Sequence, residues 1–128
     1  MYLQLITQRS VKLELTINIE NEQTLEIENR FDFNVLYSDD NKKCKAVLNC
    51  EIRCKDNSDI LHISAKNEGV FNCEGIEDED DKKQAHVLAY TLLFPYVQNT
   101  ISQLSVSAGL PPIMIEMAKI DPDTVKVK

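Results

Sequence analysis

The sequence has no tryptophan, three glycines and 6% aromatic residues. The glycines, Gly69, Gly75 and Gly109, stand too far apart for a phosphate-cradling loop or a Gly-x-Gly-x-x-Gly turn, which removes the commonest nucleotide-binding signatures. Basic residues are outnumbered, 14 Lys and Arg against 21 Asp and Glu, for a net charge of −7. A surface for nucleic acid or for anionic lipid needs clustered positive charge, so neither partner is expected. No apolar run approaches the roughly 20 residues of a membrane-spanning helix, so no membrane insertion is expected. The opening residues, Met1 to Arg9, lack the basic stretch and apolar run of a secretory signal. The expectation is therefore a cytoplasmic protein with reduced thiols. There are four cysteines but no Cys-x-x-Cys. Cys44, Cys50 and Cys54 share one extended stretch, which puts neighbours about 20 Å and about 13 Å apart. They cannot share a tetrahedral zinc ion, and they read as buried thiols, with no metal and no cofactor. The two histidines, His62 and His86, stand in no recognisable nucleophile or metal arrangement, so no catalytic residue is assigned and no enzyme is expected.

What is present is periodicity. The 128 residues, 43% hydrophobic and 27% charged, suit one globular domain. From 11 to 19 apolar residues fall on odd positions (Val11, Leu13, Leu15, Ile17, Ile19), and from 25 to 37 they do so again (Leu25, Ile27, Phe31, Phe33, Val35, Tyr37). Asn29 interrupts the second series and is read as a bulge site. From 43 to 55 the apolar set is even (Cys44, Ala46, Leu48, Cys50, Ile52, Cys54), and from 61 to 73 odd (Leu61, Ile63, Ala65, Phe71, Cys73). Period 2 means strands with one buried face. Polar turns at Asn21-Glu22-Gln23, Ser38 to Lys43 and Asp56 to Asp59 keep that face continuous, with Asn57 suited to positive φ. They set Tyr37 opposite Cys44, Cys44 opposite Phe71 and Cys54 opposite Leu61. The expected architecture is α+β: a four-stranded antiparallel meander over 1–75, then a Pro-kinked helical segment. On the wet face, Leu36, Val47, Ile60 and Val70 sit among charges, either as scattered aliphatics or as a shallow binding surface.

The acidic run Glu77 to Asp81 suits a helix N-terminus, and a basic partner is the other reading of it. A helical pattern follows from Gln84 to Leu93, and Pro95 is expected to end or kink it and to open a second helix over about Tyr96 to Ala108. Val97, Ile101, Leu104 and Ala108 form that helix's apolar stripe. Its other side carries Gln98, Asn99, Ser102, Gln103 and Ser105, polar but uncharged, which suits contact with a second copy of the chain. Gly109 is the expected stop. The stretch Leu110 to Met117 opens with two prolines yet is mostly Leu, Ile and Met, so it must cover the core or bind something.

With these elements placed, the second half of the chain resembles the SecB export-chaperone family. Gly69-Val70-Phe71, Gly75-Ile76-Glu77, Ala85-His86, Ala89-Tyr90, Leu93-Phe94-Pro95-Tyr96, Ile101-Ser102 and Gly109-Leu110-Pro111 carry the likeness in order. The resemblance implies a SecB-like domain over 1–128: sheet over 1–75, helices over 80–108, crossover loop and tail over 109–128. It implies an ATP-independent holdase that assembles as a dimer of dimers and wraps unfolded clients along apolar grooves. Leu110, Pro111, Ile113, Met114, Ile115 and Met117 become client-binding candidates, joined by Val47 and Val70 of the sheet. Gln98, Asn99, Ser102 and Gln103 become the candidate oligomer interface. Beyond the loop only Ala118 to Lys128 remain, including Pro122. That leaves little room for the further helix and the tail with which family members contact the translocase motor ATPase, so this partner is the least supported. A role in export, or as a solitary or toxin–antitoxin-linked chaperone, fits equally. The competing readings are a homo-oligomeric adaptor for one folded partner and a small-ligand enzyme on a sheet wrapped around a helix.

Overall fold

A computed structural model describes residues 1–19, 25–57 and 59–126. Strands β1 (Tyr2–Ile17), β2 (Ile27–Tyr37), β3 (Lys43–Cys54) and β4 (Leu61–Glu74) precede one long helix, α1 (Glu79–Ser107). The sheet is antiparallel, and Tyr37 pairs with Cys44 and Cys44 with Phe71, as the alternation requires. The third expected pair stops one residue short, with Arg53 opposite His62. The strand order is β1-β4-β3-β2. Only β2, β3 and β4 form the expected meander. The first strand lies against β4 on the far edge, so β1 and β2 form no hairpin, and the turn assigned to Asn21-Glu22-Gln23 falls outside the described residues. Alternation fixes which face of a strand is buried; it says nothing about which strand lies beside which.

β1 is also longer than its clean alternation suggested. Two bulges explain why. Leu5 pairs with Phe71 and Thr7 with Val70, and Ser10 pairs with Asn67 and Lys12 with Lys66, so Ile6 and Val11 are each the extra residue. The first bulge moves the helix-facing set from odd (Leu3, Leu5) to even (Gln8, Ser10), and the second moves it back to odd (Leu13, Leu15, Ile17). Gln8 and Ser10 are polar, which hid the strand further; the Asn67 amide donates to Gln8 Oε1 at 2.8 Å. The bulges thus lie in β1, while β2 runs in regular register straight through Asn29. Among described non-glycine residues, positive φ belongs to Asn41 (55°) rather than Asn57. Asn57 closes its turn through its side chain, Oδ1 accepting from the Asp59 N–H at 3.0 Å.

α1 lies on the face carrying the apolar residues and buries Ala85, Ala89, Tyr90, Leu93, Phe94, Val97, Ile101 and Ser105. Ala85 and Ala89 allow close approach. At Gly69 a Cβ would stand 3.1 Å from Leu93 Cδ1 and 3.3 Å from Leu5 Cδ1, so the bare backbone makes room for that side chain. The N-terminus is capped by Asp78, whose Oδ1 accepts from the Asp81 N–H at 2.8 Å, and Glu79, Asp80 and Asp81 face the positive end of the dipole. Pro95 lies inside the helix without dividing it, contrary to the two-helix expectation. Phe94 packs on Phe31 and Tyr90, with ring centroids 5.9 and 5.6 Å apart, and Val97 is fully buried, so tertiary packing holds helix on both sides of the proline. Pro95 offers no N–H to the Thr91 carbonyl, and both residues are exposed. The core joins this face to Cys44, Ala46, Leu48, Cys50, Ile52, Cys54, Ile63 and Phe71. All four cysteines are buried free thiols, and burial pushes Cys50 up to about 12.

Candidate functional site

The C-terminal segment decides where apolar surface is left over. Gly109 takes φ of 80°, stopping the helix, and the Leu110 N–H returns to the Ser105 carbonyl at 3.0 Å. With Pro111 and Pro112 barring helix, the chain runs back along α1 without regular secondary structure. Gln98 Nε2 donates to the Ile115 carbonyl at 2.8 Å, and the Ala118 backbone stands beside the buried Tyr90 hydroxyl without completing a hydrogen bond. A single 3₁₀ turn at Pro122–Thr124 then packs on the same helix. Pinning alternate residues this way divides the candidates. Ile115 is buried, 1% exposed, and Leu110 and Ile113 are partly buried against the core. Pro111 is exposed. Met114 is 70% exposed and Met117 47%. The segment is therefore both cover and open surface, with Ile115 lying in the core.

On the neighbouring side of α1 the sheet contributes rings. His86 stands edge-on to Phe33 at 4.9 Å, Phe33 meets Tyr90 at 5.4 Å, and Phe94 continues the cluster to Phe31. Tyr90 thus touches both β2 and the returning segment. Half of the chain's Phe and Tyr residues meet here, and Phe31 and Phe33 are only half-buried. Burial lowers the His86 pKa, disfavouring the charged ring. Sequence reasoning put Phe31 and Phe33 on the apolar face of β2 and named Tyr90 and Phe94 only within the motif series; the signal available was the concentration of aromatics in β2 and around Pro95.

Val47 and Val70 lie on the opposite face of the sheet and are not brought together with the loop residues. There Glu68 binds both Lys45 (3.1 Å) and Arg9 (3.2 Å), and these cations hold its carboxyl below the usual range, Lys45 foremost. Val47 is opposite Glu68, and Val70 is opposite Lys45. Leu36, 61% exposed, joins Val70 in a shallow apolar dent beside Lys43 and Lys45. His62 lies on this face too, 3.1 Å from Glu51. Of the candidate interface residues, Asn99 and Gln103 are exposed and Ser102 is half-buried, while Gln98 is occupied by the Ile115 carbonyl. A larger uncovered surface was unforeseen. Leu13, which alternation placed in the core, is 50% exposed, and Val11 and Leu15 are exposed as well. Among the described residues no group of His, Cys, Asp and Glu is arranged to hold a metal ion.

Comparison with known proteins places this geometry. A family model described as preprotein translocase subunit SecB matches residues 5–123. The protein-export protein SecB of Orientia tsutsugamushi (strain Boryong) is 30% identical over 92 residues, 70% of this chain and 57% of that one. The protein-export protein SecB of Bartonella bacilliformis is 27% identical over 110 residues, 85% of this chain and 60% of that one. The chain thus spans less than two thirds of the length of these relatives. Among solved structures, the SecB-like chaperone of Mycobacterium tuberculosis, in complex with a ChAD peptide from the HigA1 antitoxin, shares the fold with a TM-score of 0.74 at 15% identity, over 93% of this chain and 92% of that one. The motif series around Pro95, the four-stranded sheet with its following helix, and a family match across nearly the whole length agree: this chain belongs to the SecB family.

Proposed function

We propose that the chain is an ATP-independent holdase that binds unfolded, extended polypeptide and keeps it from aggregating. The observation that carries the proposal is the division within Leu110–Met117. Ile115 anchors the segment while Met114 and Met117 are held out to solvent, and flexible, unbranched side chains of this kind adapt to many apolar partners. The aromatic cluster of Phe31, Phe33, Tyr90 and Phe94 supplies a rigid apolar neighbour. Leu110, Pro111 and Ile113 border the same surface. Val47 and Val70 form at most a separate, shallow contact on the outer face. Binding of this kind needs no catalytic group, metal or cofactor.

Self-association belongs to the same reading. Val11, Leu13 and Leu15 form an apolar stripe that a second copy would cover, and Asn99, Ser102 and Gln103 offer uncharged hydrogen-bonding groups for the contact. We take a dimer of dimers acting in the cytoplasm as the working form. The antitoxin peptide carried by the Mycobacterium tuberculosis relative favours a client of the toxin–antitoxin kind, and the export relatives favour a preprotein. Nothing in the described surface singles out the translocase motor ATPase as a partner. The adaptor alternative would dock its partner on the acidic run, of which Asp78 and Asp81 also serve the helix cap.

Light scattering tests both halves of the proposal. The protein, alone and mixed with a reduced, unfolded client, is expected to run larger than one chain and to suppress the client's aggregation at near-stoichiometric ratio. Failure to suppress aggregation of several unrelated unfolded clients would overturn it.

A further inference from the structure

The outer face of the sheet, turned away from α1, is unevenly charged. The two bulges of β1 put Arg9 and Lys12 on this face, β3 adds Lys43 and Lys45, and β4 adds Lys66. These five cations occupy the half of the face that runs from the β2–β3 turn to the pairing of Lys12 with Lys66. The carboxylates in that half are Glu68 and Asp32. Beyond it the sign reverses, with Glu14, Glu28 and Glu51 against Arg30 and Arg53. A positive patch thus stands on a chain whose net charge is −7.

Its cations are arranged rather than scattered. Glu68 accepts from Arg9 on one side at 3.2 Å and from Lys45 on the other at 3.1 Å, so one carboxylate neutralises one charge and holds two in place over β4. Lys12 reaches Glu14 at 3.3 Å. Lys66 lies directly opposite Lys12, a like-charge pairing that is unfavourable until an anion covers it. Among the described residues neither Lys66 nor Lys43 has a carboxylate in ion-pair contact. The patch also has an apolar centre. Leu36, 61% exposed, and Val70 line a shallow dent rimmed by Lys43 and Lys45.

Size and chemistry select the occupant. Four outward residues along each of four strands span about 20 Å by about 15 Å. That is roughly 300 Å², well short of the roughly 800 Å² per partner of a stable interface between folded proteins. The surface suits a short segment. A phosphate chain would meet Glu68 at its centre and leave the dent empty. A peptide with carboxylates on either side of an aliphatic or aromatic residue matches the cations and the dent together. We propose that this half of the outer face docks a short acidic segment of another protein, with its carboxylates on Lys43, Lys45, Arg9 and Lys66 and one apolar side chain between Leu36 and Val70. The site lies across the sheet from α1 and the returning C-terminal segment, so it is separate from client capture and stands or falls without it.

The test uses the full-length protein and fluorescence anisotropy of a short labelled peptide of Asp and Glu around a central Leu-Phe. Binding is expected at low ionic strength, about tenfold weaker at physiological salt, and lost when Asn and Gln replace the acids. Lys43→Glu together with Lys45→Glu should weaken it by about tenfold or more. Leu36→Ser should weaken it by about fivefold. Circular dichroism and suppression of client aggregation should be unchanged in both variants. Saturation with a reduced, unfolded client should leave the peptide's affinity as it was. If the double variant does not fold, the neutral peptide, the salt series and Leu36→Ser decide the matter. The proposal is overturned if the acidic peptide does not bind, if the neutral peptide binds equally well, or if the unfolded client displaces it. Equally tight binding of a single-stranded RNA oligonucleotide or of phosphatidylserine vesicles, lost in the double variant, would overturn it in favour of a general polyanion surface.

Discussion

Replacing Met114 and Met117 together by Gln should weaken client capture without weakening the fold, and replacing Ile115 between them should do the opposite. Fully burying a methionine side chain is worth about 1.5–3 kcal/mol. Met114 is 70% exposed and Met117 47%, so part of that gain is still available to a client at each position. After the cost of ordering the client, the double change is expected to lose about 2 kcal/mol of binding, or about 30-fold in Kd. Glutamine is close to methionine in length and both positions face solvent, so unfolding free energy should move by no more than about 0.5 kcal/mol. Ile115 is 1% exposed and in the core. Ile115→Ala should cost about 2–5 kcal/mol of stability, which is about 1–2 M in urea midpoint at a slope typical of this size. With no tryptophan in the chain, unfolding is best followed by circular dichroism, and capture by anisotropy of a labelled, reduced client. The reasoning is refuted if Ile115→Ala leaves the urea midpoint unchanged, or if the methionine pair shifts the midpoint while leaving Kd alone.

Asp78→Ala removes the side chain that caps α1 and should destabilise the protein by about 1 kcal/mol, read as a lower thermal midpoint. Pro95→Ala restores an N–H for the Thr91 carbonyl at an exposed position and should stabilise by about 1 kcal/mol or more; an unchanged or lower midpoint would show that the proline is favoured by its packing. His86 has its pKa lowered by burial, so the unfolded chain takes up this proton first on acidification. Its contribution is complete above the ordinary histidine range and is lost as pH falls through that range toward the lower folded value. His86→Gln should flatten the pH dependence of the urea midpoint there, and an unchanged slope would contradict the assignment.

Much of the sheet was legible because period 2 is a direct consequence of strand geometry. The faces of β2, β3 and β4 and the pairing of Tyr37, Cys44 and Phe71 follow from it. The place of β1 was not legible, because alternation carries no information about neighbours and the polar Gln8 and Ser10, set between two bulges, broke the pattern over its first half. Continuity of α1 through Pro95 was hidden for a different reason: local propensity predicts a break, and Phe94 and Val97 override it only through contacts with distant residues. The site was half legible. Composition marked Leu110–Met117 as a segment with too much apolar surface, but which residues turn inward depended on the Gln98 bond to the Ile115 carbonyl.

The chain contains three methionines, Met1, Met114 and Met117, and all three are exposed. A methyl NMR spectrum of protein labelled at methionine therefore carries three signals, assignable with Met114→Leu and Met117→Leu. Titration with a reduced, unfolded client is expected to shift and broaden the signals of Met114 and Met117 and to leave that of Met1 in place. A client that binds while those two signals stay still, or that moves Met1 alone, would contradict the account.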